Sequence, residues 1–269
     1  MNEGYIPLGT TDLAIASLLV LANAGLSLRL ELGLHKRLLV AALRMVVQLS
    51  MMGVVLTALF SVLSPWWTGL AVLAMIGFAG HEVAARQERP LAGLWAYGLG
   101  TGCMMMAAVL VTVFALTTAL RPQPWYDPRY AIPLLGMILG NTMTGISLGM
   151  NSLTTGLANR RAAVEARLML GHDRRRALGP VIRQALRNAL MPIINTMSAT
   201  GVVSLPGMMT GQILGGVPPS EAVKYQILIL FLIAGGTGLG AVAAVMSGVY
   251  RLTDSRHRLR LDRLVAPKR

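Results

Sequence analysis

Long apolar runs alternate with short polar connections punctuated by glycine and proline along the whole chain. A run of about 18 residues or more is long enough to cross a bilayer as a helix. The pattern predicts spans near 8–29, 38–63, 66–85, 93–120, 130–157, 186–205 and 222–249. The expected fold class is therefore all-α: a polytopic membrane protein with about seven transmembrane helices. One stretch interrupts the pattern. SLPGMMTGQILGG, residues 204–216, carries no charge, yet Pro206, Gly207, Gly211, Gly215 and Gly216 each weaken a helix. It reads either as a broken-helix turn over a pathway or as a plain extracellular loop.

Composition agrees with that class. Of 269 residues, 54% are hydrophobic and 13% charged, with a mean hydropathy of +0.61. A soluble domain carries roughly 25% charged residues. The net charge of +13 would ordinarily raise nucleic acid as a partner, but topology accounts for it and no nucleic acid is expected. Arg29, Lys36, Arg37, Arg86, Arg89, the eight arginines between Arg160 and Arg187, and the seven basic residues from Arg251 to Arg269 occupy alternate connections. The other connections hold only Arg121, Arg129 and Lys224. The positive-inside rule then puts the N-terminus outside and the C-terminus inside the plasma (inner) membrane. Trp125, Tyr126 and Tyr130 fall on an outer connection, where an aromatic belt is expected. Ahead of the first apolar run there is no basic region, so no cleaved signal peptide is expected. The organisation read from this is one membrane domain over 1–250, with a cytoplasmic segment at 158–185, followed by a basic cytoplasmic tail at 251–269.

The segment 158–187 is the longest of the basic connections. VEARLML predicts a short amphipathic helix with Val164, Leu168 and Met169 on one side. Gly171 should stop it, and Gly179-Pro180 should punctuate again before the next helix. The segment resembles the coupling segment of ABC transporter permeases, in which Glu-Ala is followed by Gly six positions after the Glu. Glu165, Ala166 and Gly171 match that spacing; Arg167 stands where a second alanine is usual, and the downstream proline is displaced. The physical alternative is a basic helix lying on anionic headgroups. The chain has no Gly-Lys-Ser/Thr phosphate loop. GGTGLG (235–240) lies inside an apolar run, where close helix packing explains it better than a dinucleotide fingerprint.

LPGMMTGQILGG followed by AVKYQI (222–227), with GMILGNTM (136–143) and RMVVQL (44–49) upstream, is similar to the FetB-type permeases. These are membrane subunits of an iron-export ABC transporter, related to plant proteins linked to aluminium tolerance. The resemblance covers nearly the whole chain. It implies a permease rather than an enzyme, pairing as a homodimer with a separate ATP-binding subunit. ATP and Mg would be bound there, with no cofactor in this chain. It also implies export of iron or a related metal. His81-Glu82 and Arg174-Arg175-Arg176 match no motif of the family and receive no role from it.

Several intramembrane polar residues are pathway or gate candidates. At 100° per residue Asn141, Thr144, Ser147, Asn151 and Thr155 form one stripe, which either faces a pathway or bonds neighbouring helices. Gly136/Gly140 and Gly145/Gly149 are spaced for close packing on other faces. Arg44 and Gln48 share a face of the second span, although Arg44 lies near enough to the inner end to snorkel. Asp12 is read as interfacial. At the opening stretch, Pro206 should end the sixth helix near Leu205, Gly207 should permit a tight turn, and Met208 and Met209 should plug it. Ile213 and Leu214 would supply its buried side, with Lys224 at the outer mouth; Gln226 is a further pathway or gate candidate. The 17 methionines fit membrane core better than metal ligation, since thioethers favour Cu(I). Cys103 reads as a packing residue, and no metal site is assigned. Two other function classes remain open: an ATPase-independent secondary transporter or channel, which needs intramembrane ionisable relays, and a membrane scaffold or receptor, which needs no continuous polar pathway.

Overall fold

The computed structural model describes residues 9–62, 64–254, 256 and 258–265. The span-edge residues Leu8 and Leu63, and Lys268 and Arg269 of the tail, lie outside these. Among the described residues there is no β-strand, only isolated bridges. The helices are α1 (Thr10–Arg29), α2 (His35–Ser61), α3 (Pro65–Ala85), α4 (Trp95–Phe114), α5 (Pro128–Asn159), α6 (Arg161–Met169), α7 (Arg174–Ala199), α8 (Gly207–Leu214) and α9 (Pro219–Arg251). A π-helical segment, Ala115–Leu120, continues α4.

Six helical stretches are long and apolar enough to cross a membrane: α1, α2, α3, α4 with its π extension, α5 and α9. They fall on six of the seven predicted spans. α7 is not among them, because it carries Arg174, Arg175, Arg176, Arg183 and Arg187 in its first fourteen residues. Its second half occupies the position of the predicted 186–205 span.

Two boundaries differ from expectation here. α7 continues through Gly179-Pro180 and through Pro192. An interior proline costs a helix about 3 kcal/mol. A continuous buried face of Leu178, Val181, Ala185, Ala189 and Ile193 offsets that loss. The helix then ends at Ala199, not near Leu205. Gly201, at φ +92, turns the chain, and the amides of Val203 and Ser204 both return to the Ala199 carbonyl.

The chain forms two compact units. In the first, α1 and α2 pair as a hairpin through Leu30–Leu34, where Gly33 takes φ +66 and the Leu34 amide donates to Ser27 Oγ at 3.0 Å. Ala24 and Ser27 are the buried residues of α1, and Leu59 that of α2. Most of the other large apolar side chains of this hairpin are exposed.

In the second unit α5 is the central helix and packs against α3, α4, α7 and α9. Glycines set these distances. A Cβ added at Gly145 would lie 2.7 Å from Thr237 Cγ2 and 3.1 Å from the Ala189 carbonyl oxygen. One at Gly240 would lie 2.5 Å from Thr142 Cγ2, and one at Gly236 2.8 Å from Ile138 Cγ2. The GGTGLG segment is thus a helix-packing surface. Gly149 likewise admits Ala189 and Val245, whereas Gly140 meets no neighbour within 4 Å.

The connections of this unit sort to opposite ends. The turn after α3 touches the end of α5 through the Glu88 amide and Asn151 Oδ1 at 3.0 Å. It also touches the tail, where the Ala92 amide donates to the Arg263 carbonyl at 2.8 Å. The start of α7 meets the end of α9, with the Arg174 guanidinium 4.1 Å above the Tyr250 ring. Three basic connections therefore share one end.

A polar cleft between α5 and α7, and the α6 tip

α5 and α7 enclose a cleft of about 800 Å3. From α5 it is lined by Asn151, Ser152 and Thr155, and from α7 by Gln184, Asn188 and Asn195; Glu88 closes one side. The residues form a connected polar ladder. Gln184 Nε2 donates to Asn188 Oδ1 at 2.9 Å, and Asn188 Nδ2 donates to Ser152 Oγ at 2.9 Å. Thr155 Oγ1 is buried without a hydrogen-bond partner among the described residues. The cleft begins beside Asn159 and Arg160, at the end bearing the basic connections, and reaches Leu148 and Asn195. At 1.5 Å per residue that is roughly 18 Å along α5. It is a one-sided vestibule with carboxamide, hydroxyl and carboxylate groups, the Arg160 guanidinium at its mouth and the Met191 thioether on the α7 side.

The predicted polar stripe is divided. Asn151 and Thr155 face the cleft, while Asn141 donates to the Met137 carbonyl at 2.9 Å and Thr144 to the Gly140 carbonyl at 3.0 Å, within their own helix. Ser147 is buried, with no partner for its hydroxyl among the described residues. Gln184 was missed because its helix was expected to start only at 186; Asn188 and Asn195 lay inside the predicted 186–205 span but without Gln184 their shared face was not seen. Continued back to Arg174, the 184/188/195 spacing marks one helical face.

α6 sits at the same end. Val164 is buried and Leu168 packs on the core. Met169 does not join them: it is 82% exposed and Leu170 is 79% exposed. Met169 follows Leu168 by 100° and leaves the buried stripe, so the two form an apolar tip. Glu165 pairs with Arg161 at 2.8 Å, one turn away on the surface. Ala166 is exposed, and its carbonyl accepts the Leu170 amide. Gly171, at φ +84, terminates the helix in a Schellman motif: its amide returns to Leu168 and that of His172 to Arg167. Asp173 then caps α7 by accepting the Arg176 amide at 2.8 Å.

Residues 10–253 match the model of UPF0014, described as an uncharacterised protein family. The chain belongs to the UPF0014 family. It is 35% identical to the UPF0014 membrane protein slr1647 of Synechocystis, over 96% of this chain and 98% of that protein. It is 32% identical to the Protein ALUMINUM SENSITIVE 3 of Arabidopsis thaliana, over 88% of this chain and 84% of the relative. With the Escherichia coli protein named "Probable iron export permease protein FetB" it shares 31% identity, over 94% and 95% of the two chains. No solved structure matches the chain. The resemblance read from LPGMM and KYQI is therefore a family relationship, and the UPF0014 chain is an all-helical protein with six helical stretches long and apolar enough to cross a membrane.

The remaining candidates of this UPF0014 protein are not among the residues that line the cleft. Gly207, Met208 and Met209 are the first turn of α8, which has no buried residue. Pro206 precedes that helix, and its carbonyl accepts the Thr210 amide at 3.1 Å. Gly207 serves no tight turn, and a Cβ there would meet nothing within 4 Å; the same holds at Gly211 and Gly216. Leu214 is 69% exposed. A close-packed buried plug is thus not what these residues form; the left-handed positions are Gly201 and Gly216 instead. Lys224 pairs with Glu221 at 2.7 Å on the surface, and Gln226 is buried with no partner for Oε1 among the described residues. Arg44 and Gln48 are exposed on α2, in the hairpin unit.

Glu82 forms an ion pair with Arg86 at 3.6 Å, beside the exposed His81. Among the described residues no three His, Cys, Asp or Glu side chains group closely enough to hold a metal. Cys103 is half-buried, its Sγ 4.0 Å from Ser247 Oγ. Of the three consecutive methionines Met104 is fully buried, while Met105 and Met106 face outward.

The tail up to Val265 is docked. The Val265 amide donates to the Pro90 carbonyl at 2.9 Å, and Arg263 Nη1 donates to the Arg251 carbonyl at 2.7 Å. Arg260 grips Asp262 through Nε at 2.8 Å and Nη2 at 2.7 Å. These bonds lower the Asp262 carboxyl to about 2.

Proposed function

We propose that the chain is the membrane subunit of an ABC exporter for iron or a related metal ion, working as a homodimer with two copies of a separate ATP-binding chain in the inner membrane. The observation that carries this reading is the match, over almost the full length of both chains, to the protein named as a probable iron export permease. The cleft supports it chemically: amide and hydroxyl oxygens with one carboxylate are donors that hard cations accept, and they outnumber the one thioether, Met191, and the one cationic side chain, Arg160, of the lining. In this reading the end with the basic connections is cytoplasmic, the N-terminus is outside, and α7 with α8 completes the seventh crossing. Substrate enters the α5–α7 vestibule from the cytoplasm. The α6 tip, Met169 and Leu170, seats on the ATP-binding chain, which holds ATP and Mg. Glu165 and Gly171 keep α6 in shape and register.

The test is reconstitution. The chain is co-expressed with the candidate ATP-binding chain, purified and placed in proteoliposomes, and transport of radiolabelled iron is followed. Co-purification and iron movement that needs ATP and stops with vanadate support the proposal. Iron movement that persists without any ATP-binding chain and collapses with an ionophore overturns it in favour of a secondary transporter or channel.

A further inference from the structure

A second crevice opens at the other end of the α3–α9 unit. It holds about 240 Å3 between α3, α4 and α5, room for roughly eight water-sized groups. Its walls are almost entirely apolar, with Val72, Val109, Leu116 and Leu135 among them. Trp125 and Tyr126 stand at the rim, edge to face with ring centroids 6.0 Å apart.

Three features distinguish it from a packing gap. Thr112 lines the crevice, is only 6% exposed, and its hydroxyl has no partner among the described residues. An added Cβ at Gly69, also in the lining, would meet nothing within 4 Å. The wall at Leu116 belongs to the π-helical segment Ala115–Leu120, a conformation that is rare and frequent at functional sites.

Depth and chemistry select the occupant. A 32-residue α5 is ~48 Å long and exceeds a ~30 Å hydrocarbon core by roughly 9 Å at each end. Ala131 and Leu135 lie within three turns of the α5 start, so the crevice straddles the hydrocarbon boundary. Exposed Trp66, Trp67, Trp125 and Tyr130 mark the same level. A buried water needs two to four polar partners; the buried lining offers the unpaired Thr112 hydroxyl and that of Thr68, which already has a contact of its own, and that is too few. An apolar chain with one hydrogen-bond acceptor at its upper end fits. At this depth the bilayer itself offers that group, in the ester carbonyl and first methylenes of a glycerophospholipid.

We propose that the crevice is a resident-lipid site, in which the upper part of one phospholipid acyl chain lies between α3, α4 and α5 and its ester carbonyl accepts a hydrogen bond from Thr112 Oγ1. The experiment uses the full chain reconstituted in vesicles of phosphatidylethanolamine and phosphatidylglycerol, either ester-linked or ether-linked, then extracted in mild detergent. Retained lipid is counted by native mass spectrometry. Wild type should keep one phospholipid per chain and favour ester over ether lipid about three- to tenfold, the worth of one hydrogen bond. Thr112→Val should abolish that preference. Gly69→Leu, which fills open space, should lose the lipid while keeping its helical circular dichroism and unfolding temperature. Val72→Phe fills the same crevice from another position if Gly69→Leu fails to insert. Lipid retention in the filled variants equal to wild type, no retained lipid in wild type, or equal retention of ester and ether lipids overturns the site.

Discussion

Asn188 Nδ2 donates to Ser152 Oγ across the cleft at 2.9 Å, tying α7 to α5 on the face where the polar ladder runs. The bond holds the vestibule at a set width, and Gln184 holds Asn188 in turn. Removing either partner leaves the other polar group in a cleft that is wet on one side. Interhelical bonds of this kind in membranes are worth about 0.6 kcal/mol, with larger cases near 1.7. A double-mutant cycle of Asn188→Ala and Ser152→Ala should therefore show a coupling of about 0.5–1.5 kcal/mol in detergent-titrated unfolding. Zero coupling would mean that the two helices are positioned by apolar packing alone.

Glycine substitutions should separate packing from gating. Gly145→Val places branched carbon against Thr237 and the Ala189 carbonyl, and overpacking of this kind costs about 1–3 kcal/mol. Gly207→Ala meets open space in the first turn of a helix. Thermal unfolding of the two variants in the same detergent should show a large drop for Gly145→Val and little change for Gly207→Ala.

At the α6 tip, shape and docking can be told apart. Gly171→Ala forces a side chain into φ +84 and should cost about 1 kcal/mol of local helix stability. Met169→Asp with Leu170→Asp leaves the fold intact, because both side chains are exposed, but should abolish stimulation of the ATP-binding chain. Glu165→Ala removes only a surface ion pair and should change folding stability by about 0.5 kcal/mol or less. The readouts are circular dichroism for the fold and phosphate release for coupling.

The tail supplies a pH test. Asp262, ordinarily at 3.8, is lowered to about 2 by Arg260. A carboxylate held down in the folded state contributes stability that is fully present above its unfolded value and lost as pH falls through the folded one. Amide protection of Ala92 and Val265 should thus stay level from neutral pH to about 4.5, then fall towards pH 2. Asp262→Asn should have lower protection near neutral pH, lack that acid step and converge with wild type towards pH 2.

Orientation follows from labelling. With the basic end cytoplasmic, a cysteine at position 220 should react with an impermeant reagent in sealed cells, and one at position 172 should not. Labelling at 172 alone would invert the topology.

The apolar periodicity by itself determined the helical membrane class and placed six of the crossing helices within a few residues. Bilayer length and hydropathy are properties of a single segment. The motif residues likewise carried the family, since LPGMM and KYQI needed no coordinates to be read. Tertiary structure decided the rest. α7 runs unbroken through Gly179-Pro180 because a buried face running from Leu178 to Ile193 offsets the lost bond, and local propensity cannot see that partner. The Asn141–Thr155 stripe divides because only its later part meets a second polar face from α7. Met169 leaves the α6 stripe because a single buried column at Val164 and Leu168 is all the core accepts there. Gly207 and Gly211 proved less constrained than Gly145, Gly149, Gly236 and Gly240, whereas Gly216 is held by its positive φ. A glycine is required where another helix arrives within contact distance or φ turns positive, and both conditions are set by neighbours in space rather than in sequence.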